Sequence, residues 1–176
     1  MNIYQLLLRK NYKKSINNIL SNINLNIDTF IATPYASSLS TLIDDEKEMG
    51  TICIDLGSGT TSVCMVENKK LMFADAIPVG SDNITKDLSL RLNTSFESAE
   101  RLKTLYGSVF SNPSDEHELI DVSIIGSEKN QFNQINRALL NSTIKDRAEE
   151  TLELIRQKLK EYSLDKKNYR RVVITG

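Results

Sequence analysis

The stretch Asp55-Leu56-Gly57-Ser58-Gly59-Thr60-Thr61 combines residue types that can handle a phosphate. A carboxylate ends the β-favouring run Thr51-Ile52-Cys53-Ile54. Two glycines then make a tight turn, and two threonines open a second apolar run, Ser62-Val63-Cys64-Met65-Val66. Glycine lacks the Cβ that blocks close approach, and successive backbone N–H groups in a turn form a concave anion site. The same residues also make an ordinary β-hairpin, because Gly-Ser-Gly is common turn chemistry. Both readings stand on these residues alone.

Other reactive side chains point less clearly to chemistry. His117 is the only histidine and lies in a polar, acidic segment, with neither a nucleophile nor an orienting partner nearby in sequence. No catalytic residue is assigned. Cys53 and Cys64 are the only cysteines, and each sits inside an apolar run. They read as buried, reduced thiols rather than a zinc site or a disulfide framework, which implies a reducing compartment. Glu100 and Lys103 share a helix face; on spacing alone they are a surface ion pair worth roughly 0.3 kcal/mol.

The chain has 176 residues, 40% hydrophobic and 26% charged, a composition that fits one globular domain or two small lobes rather than disorder. A net charge of −1 gives no bulk electrostatic case for nucleic acid. No run reaches the ~18 apolar residues of a membrane span. Leu6-Leu7-Leu8 is too short for a secretory segment, and Arg9-Lys10 follow it rather than precede it. The basic, leucine-containing start reads as the ragged beginning of a helix in preference to a membrane-surface segment.

The elements that must position the glycine turn follow from periodicity. Ile16, Ile19, Leu20 and Ile23 predict a helix over 13–23. Phe30–Ala32 is a strand candidate, and Thr33-Pro34 reads as N-cap and first residue of a helix whose apolar face is Tyr35, Leu39, Leu42 and Ile43. Asp44–Glu48 reads as an exposed linker stopped by Gly50. Thr51–Asp55, Thr61–Val66 and Leu71–Ile77 predict a three-strand meander, the first strand buried on both faces. Ser81 or Asp82 caps a helix to Leu92. Thr94 or Ser95 caps the next, Thr94…Glu97 has the form of a capping box, and the helix runs with Ala99, Leu102, Leu105 and Tyr106 inward to Gly107. A loop over 111–118, a strand Leu119–Ile125 ended by Gly126, a loop Ser127–Gln134, a long helix Asn141–Tyr162 and a strand Arg171–Gly176 complete the reading. Alternating helix and strand signals give an α/β layered fold. The last strand stops at a glycine, which creates the expectation that further sequence belongs after it.

Five segments in register resemble the FtsA family of bacterial cell-division proteins, within the actin/Hsp70/sugar-kinase superfamily. Asp55–Thr61 resembles the superfamily's second phosphate motif, and Thr33-Pro34-Tyr35-Ala36-Ser37 the helix start before it. Ala76-Ile77-Pro78-Val79-Gly80 with Thr85-Lys86-Asp87 resembles the opening of the upper lobe. Ala99-Glu100-Arg101-Leu102-Lys103-Thr104-Leu105-Tyr106-Gly107 is the most specific match, and Val172-Val173-Ile174-Thr175-Gly176 resembles the start of the adenosine motif. Ser58 and Ser81 stand where glycines are common in the family, and Ser62 where many relatives carry an acid.

The resemblance implies an α/β fold: an incomplete second lobe of the actin-like (ribonuclease-H-like) type with a smaller α+β subdomain inserted. It divides the chain into a ragged segment 1–12, a large subdomain 13–77, a small nucleotide-side subdomain 78–170 and a return strand 171–176. It implies ATP and Mg²⁺ as cofactors. Asp55 would hold the Mg²⁺ through water, Gly57, Ser58, Gly59 and Thr60 would give backbone N–H groups to phosphates, and the Thr60 and Thr61 hydroxyls would add contacts. Gly80 belongs to the same site, Glu100 and Lys103 would reach ribose and adenine, and Thr175-Gly176 would admit the nucleoside. Lys145 and Arg147 would meet the acidic C-terminal tail of the tubulin-like FtsZ. The family scaffold self-associates, holds FtsZ at the cytoplasmic face of the inner membrane, and touches the membrane through segments not expected here. At most a weak ATPase is implied. The alternatives are a partner-binding or inactive piece of a split gene, and another superfamily ATPase or sugar kinase. The first phosphate motif, the family's inserted subdomain and its membrane-targeting helix are not found in the chain.

Overall fold

In the computed structural model, which describes residues 10–125, 132–162 and 171–176, the elements run α1 (Lys10–Ser21), α2 (Thr33–Thr41), α3 (Asp44–Met49), β1 (Thr51–Leu56), β2 (Thr61–Glu67), β3 (Lys70–Ile77), α4 (Ser81–Arg91), α5 (Phe96–Tyr106), β4 (Leu119–Ser123), β5 (Phe132–Asn136), α6 (Arg137–Glu161) and β6 (Val172–Thr175). They divide into two compact units. One holds Met1–Asp55, Ser62–Ala76 and Asn168–Gly176, the other Leu56–Thr61 and Ile77–Lys167.

The first unit is built on a sheet of order β3-β2-β1-β6. The short connections between β1, β2 and β3 allow only antiparallel pairing, whereas β6 pairs parallel to β1, from Ile52↔Val172 to Asp55↔Thr175. A parallel pair needs a long crossover, and here the whole second unit lies within that connection. β1 and β2 are buried on both faces, as expected for covered central strands. Cys53, Cys64 and Val66 face Leu42 in one apolar cluster. Continuing the Gly57–Thr60 pairing down the hairpin puts Cys53 opposite Cys64. Both thiols are free and buried, and Cys64 donates to the Pro34 carbonyl at 3.0 Å. Cys53 beside it and burial push the Cys64 thiol well above its ordinary value.

Several local expectations change in this unit. Phe30–Ala32 is not a strand, since no strand among the described residues pairs with it. The cap of α2 is Ala32, so Thr33 and Pro34 already lie in its first turn, and the helix ends before Leu42. Leu39 and Ile43, expected inward, are exposed. The charge run is the short helix α3 rather than a linker. Its first-turn acids Asp44, Asp45 and Glu46 suit the helix dipole, Glu46 accepts from the Ile43 N–H at 3.1 Å, and Gly50 ends it at φ 92°, a conformation that favours glycine.

The second unit packs α4, α5 and α6 with the antiparallel β4–β5 hairpin, whose register runs from Leu119↔Asn136 to Ser123↔Phe132. Leu88, Leu92, Ala99, Leu102, Ile120, Val122, Leu140 and Ile144 form its core. Gly80 caps α4, its N–H bonded to Asn83 Oδ1 at 3.1 Å, so Ser81 and Asp82 are first-turn residues rather than caps. Ser95 caps α5 by accepting from the Ser98 N–H. Thr94 forms no capping box; it is buried and donates to the Ser123 carbonyl at 2.6 Å. Leu105 and Tyr106 are exposed, and a 3₁₀ turn occupies Pro113–Glu116 within the expected loop. β4 ends at Ser123, and residues 132–134, expected as loop, are in β5, because cross-strand pairing overrides their polar composition. Gly126 and the rest of that expected loop lie outside the described residues, as does the segment 1–9. α6 begins a turn early, capped by Asn136 accepting from the Leu139 N–H at 3.0 Å. Asn141, read as the start of that helix, is buried inside it, accepting from the Ser108 N–H and donating to Asp115 Oδ2, each at 2.9 Å.

Candidate functional site

Asp55, the next-to-last residue of β1, is half-buried. Its Oδ2 accepts a 2.6 Å hydrogen bond from Ser37 Oγ of α2, which fixes the carboxylate's rotamer. Directly across the parallel ladder stands Thr175, followed by Gly176 at φ 142°. The first unit therefore brings Asp55, Thr175 and Gly176 to one end of its sheet, where the C-terminal ends of β1 and β6 lie.

The second unit holds the turn itself. Gly57 closes it, its N–H bonded to the Thr60 carbonyl at 3.0 Å. The N–H groups of Ser58, Gly59 and Thr60 have no acceptor among the described residues. The turn is held by the start of α4: Ser81 N–H donates to the Gly57 carbonyl at 3.0 Å and Asp82 N–H to the Ser58 carbonyl at 2.9 Å. A Cβ on Gly80 would come within 2.5 Å of the Gly57 carbonyl oxygen and closer still to that of Ser58, so only glycine fits there. A Cβ on Gly59, by contrast, would meet nothing within 4 Å, and no left-handed φ requires glycine at that position. Thr60 is exposed. Thr61 is buried, and its hydroxyl, like that of Ser62, has no hydrogen-bond partner among the described residues. Ser58 Oγ donates to Asp82 Oδ2 at 3.0 Å, which places a negative charge beside the turn.

Glu100 and Lys103 meet as their spacing predicts, with Nζ 2.7 Å from Oε2, but this is more than a surface pair. Lys103 is largely buried and also donates to Thr85 Oγ1 at 2.8 Å and to the Ser81 carbonyl at 3.3 Å. Thr85 is fully buried and donates to Glu100 Oε2 at 2.5 Å. Lys103 and Thr85 together hold the Glu100 carboxyl below its usual range. Sequence reasoning missed Ser37, Ser81 and Thr85 as contributors, although all three lie in or beside the motifs it singled out.

Arg147 of α6 is paired twice. Its Nε lies 2.6 Å from Asp87 Oδ2 of α4 and its Nη1 2.6 Å from Glu150 Oε2; Asp87 does most to raise the guanidinium above its already high value. Lys145 is exposed, 3.8 Å from Glu149. Arg147 lines a groove of about 460 Å³ between α4 and α6, with Leu90, Arg91, Thr143 and Asp146 among its other walls. Leu90 projects into solvent, 82% exposed. His117 is exposed, and among the described residues no cluster of metal-ligating side chains occurs.

Residues 52–170 match the sequence family described as cell division protein FtsA. The chain is 39% identical over 164 residues to the cell division protein FtsA of Agrobacterium fabrum, covering 93% of this chain, and 38% identical over 128 residues, 72% of this chain, to that of Bacillus subtilis. It spans 37% and 28% of the length of those relatives. Among solved structures, it resembles MreB5 of Spiroplasma citri bound to ADP with a TM-score of 0.73 at 16% identity, over 87% of this chain and 48% of that one. The AMPPNP-bound form of the same protein gives 0.70, also at 16% identity and with the same coverage. These likenesses establish the expected actin-like α/β fold.

Proposed function

The chain belongs to the FtsA family of cell division proteins, and we propose that it contributes one side of a Mg²⁺–ATP site to an actin-like scaffold that recruits FtsZ to the cytoplasmic face of the inner membrane. In this reading 13–77 with 171–176 is the large subdomain, 78–170 the small nucleotide-side one, and 1–12 lies outside both. One observation carries the nucleotide assignment. The turn leaves the N–H groups of Ser58, Gly59 and Thr60 unpaired at its tip while its base is clamped by α4. Unpaired donors on three successive residues of a turn suit charge-assisted hydrogen bonds to an anion.

The residues present fit the cofactors. Gly59 is a glycine that neither packing nor backbone conformation demands, and the buried Thr61 hydroxyl lacks a partner. Leaving a buried hydroxyl unpaired costs about 1–3 kcal/mol, so water or a ligand at that position is favoured. Asp55 would hold Mg²⁺ through water, since that ion uses one or two carboxylates and keeps much of its hydration shell. Asp82 beside the turn repels a bare anion, which favours a phosphate that brings its own cation. Gly57 would shape the turn rather than donate, because its N–H is already used. Gly80 would keep the clamp closed, Thr60 would add a hydroxyl, and Thr175-Gly176 would admit the nucleoside. When bound, Mg²⁺ would neutralise phosphate charge; no residue here is assigned a bond-breaking role. Calorimetry with Mg-ATP tests the reading. Binding tighter than about 10 µM, roughly −7 kcal/mol, is expected, and heat no greater than that of dilution overturns it.

A second reading, recruitment of FtsZ without nucleotide, is favoured by the α4–α6 groove, which lies wholly within one compact unit that has its own apolar core. The groove holds Arg147, Arg91 and Leu90 beside the carboxylates of Asp87, Asp146 and Glu150, which an acidic tail would have to displace, with Lys145 nearby on α6. Titration with an FtsZ tail peptide in the absence of ATP separates this reading from the first. Self-association of the scaffold and its membrane attachment are carried over from the family, and among the described residues no helix is long and apolar enough to cross a membrane.

A further inference from the structure

We propose that Cys53 and Cys64 form a redox-sensitive switch in the first unit: peroxide joins them in a disulfide, and the new bond releases the start of α2. They are the only cysteines of the chain, so neither has another thiol of the chain to pair with. The hairpin register sets them directly opposite each other, four residues on from the Gly57–Thr60 pair. Opposite residues point to the same face of a sheet. At a hydrogen-bonded pair of this kind the Cα atoms lie about 5.5 Å apart, within the roughly 4.4–6.8 Å that a disulfide spans. Both thiols are free and share one apolar cluster, 2% and 0% exposed. A small uncharged oxidant such as hydrogen peroxide suits so closed a site.

The two thiols are unequal. Cys64 holds its proton toward a fixed acceptor, the Pro34 carbonyl at 3.0 Å. Cys64 is also the main cause that lowers the Cys53 thiol, while Cys53 and burial raise Cys64. The thiolate is the nucleophile, so Cys53 attacks first. Its sulfur bonds to one peroxide oxygen, the O–O bond breaks, and the leaving hydroxide takes a proton as water. The Cys64 sulfur then attacks the sulfenic Cys53, the S–O bond breaks, and a second water leaves with the Cys64 proton. Two thiols lose two electrons, and one peroxide becomes two waters.

A disulfide sulfur carries no proton, so the Pro34 carbonyl loses this donor. Pro34 lies in the first turn of α2, and Ser37, three residues on, donates to Asp55 Oδ2 at 2.6 Å. Oxidation therefore acts on the helix that fixes the Asp55 carboxylate, and every residue of this chain of contacts lies in one compact unit. Packing alone requires neither one cysteine opposite the other nor a thiol bonded to a helix start.

The test treats the full chain with hydrogen peroxide, alkylates the remaining thiols after unfolding, and maps the peptides by mass. A Cys53–Cys64 link is expected, lacking the two thiol hydrogens and undone by dithiothreitol. Cys64→Ala should instead leave a sulfenic acid on Cys53 that dimedone traps; the wild-type measurements decide alone where that variant fails to fold. Amide exchange along α2 should quicken about tenfold in the linked chain, the worth of one hydrogen bond, and slow again on reduction. Mg-ATP should bind the linked chain more weakly than the reduced one, an effect that rests on the nucleotide reading above. Thiols that stay open to alkylation, or chains linked to one another instead, overturn the pairing. A link that leaves α2 exchange unchanged overturns the switch, and unchanged Mg-ATP affinity in a linked chain overturns its reach to Asp55. A reduced chain that binds no nucleotide overturns the nucleotide reading instead, and the link and the exchange then decide the switch.

Discussion

Gly80 lies so close to the carbonyl of Ser58 that no Cβ fits between them. Two N–H groups from the residues that follow it close the same gap, Ser81 to Gly57 and Asp82 to Ser58. The glycine turn is thus not a free hairpin tip. It is seated on the first turn of α4, and its shape depends on a residue more than twenty positions away in sequence.

The two glycines Gly80 and Gly59 should respond oppositely to alanine. Gly80→Ala forces backbone atoms apart and is expected to cost about 2 kcal/mol of stability, read as a lower urea midpoint. Gly59→Ala meets open space, should leave that midpoint within about 0.5 kcal/mol of wild type, and should weaken Mg-ATP binding at least tenfold by crowding the phosphate approach. Equal stability loss in both variants would contradict the seating of the turn.

In the proposed nucleotide site, Asp82 should make binding depend on the cation. ATP with excess chelator is expected to bind at least tenfold more weakly than Mg-ATP, because an unshielded phosphate meets the carboxylate held by Ser58. Asp82→Asn should narrow that gap. A variant that retains the full Mg²⁺ requirement would assign the requirement to Asp55 alone.

Arg147 reaches any acidic peptide already paired with Asp87 and Glu150. Arg147→Glu should weaken binding of an FtsZ tail peptide by at least tenfold. Asp87→Asn, which removes the competing carboxylate, should tighten it several-fold, most visibly at low salt, where screening is weakest. Fluorescence anisotropy at two salt concentrations reads both effects, and weaker binding in Asp87→Asn would show that Asp87 orients Arg147 rather than competing for it.

Acid should destabilise the second unit through Asp115. This buried carboxylate accepts from the Asn112 N–H and from Asn141, both at 2.9 Å. The Asn112 bond is the main reason its value is held below the ordinary one, with Asn141 and Arg137 adding to it. A carboxyl lowered in the folded state stabilises fully above its unfolded value and loses that contribution as pH falls through the folded one. Urea midpoints should therefore drop below about pH 4, and the acid-dependent part of the drop should shrink in Asn141→Ala, which also lowers stability at neutral pH. An identical pH profile in that variant would remove Asp115 from the explanation.

The meander β1, β2 and β3 was the most legible part of the sequence, because its short β-favouring runs are bounded by turn residues, whereas the strand candidate Phe30–Ala32 failed and β5 was read in part as loop. Helix ends were less so. Thr33 and Ser81 look like caps, yet the caps are Ala32 and Gly80, and of the two candidates Thr94 and Ser95 it is Ser95 that caps α5, since a cap is chosen by where the chain bends and not by side-chain type alone. Asn141 misled for a related reason: its polar atoms serve Ser108 and Asp115, contacts about thirty residues away that no local pattern encodes. In the candidate site, residue types and order were readable, but the division of labour was not. That Gly57 spends its N–H on Thr60 is a detail of the turn's local geometry, while the burial of Thr61 and the three partners of Lys103 depend on tertiary neighbours.

Gly59 also lets selection be read separately from folding. At most positions a residue persists because the protein unfolds without it, so its retention says little about activity. At Gly59 the folded chain is indifferent to a methyl group, and drift should replace the glycine wherever binding no longer matters to the cell. Sequencing this codon across close strains, against the substitution rate at exposed positions of α6, would show whether the turn is still being used.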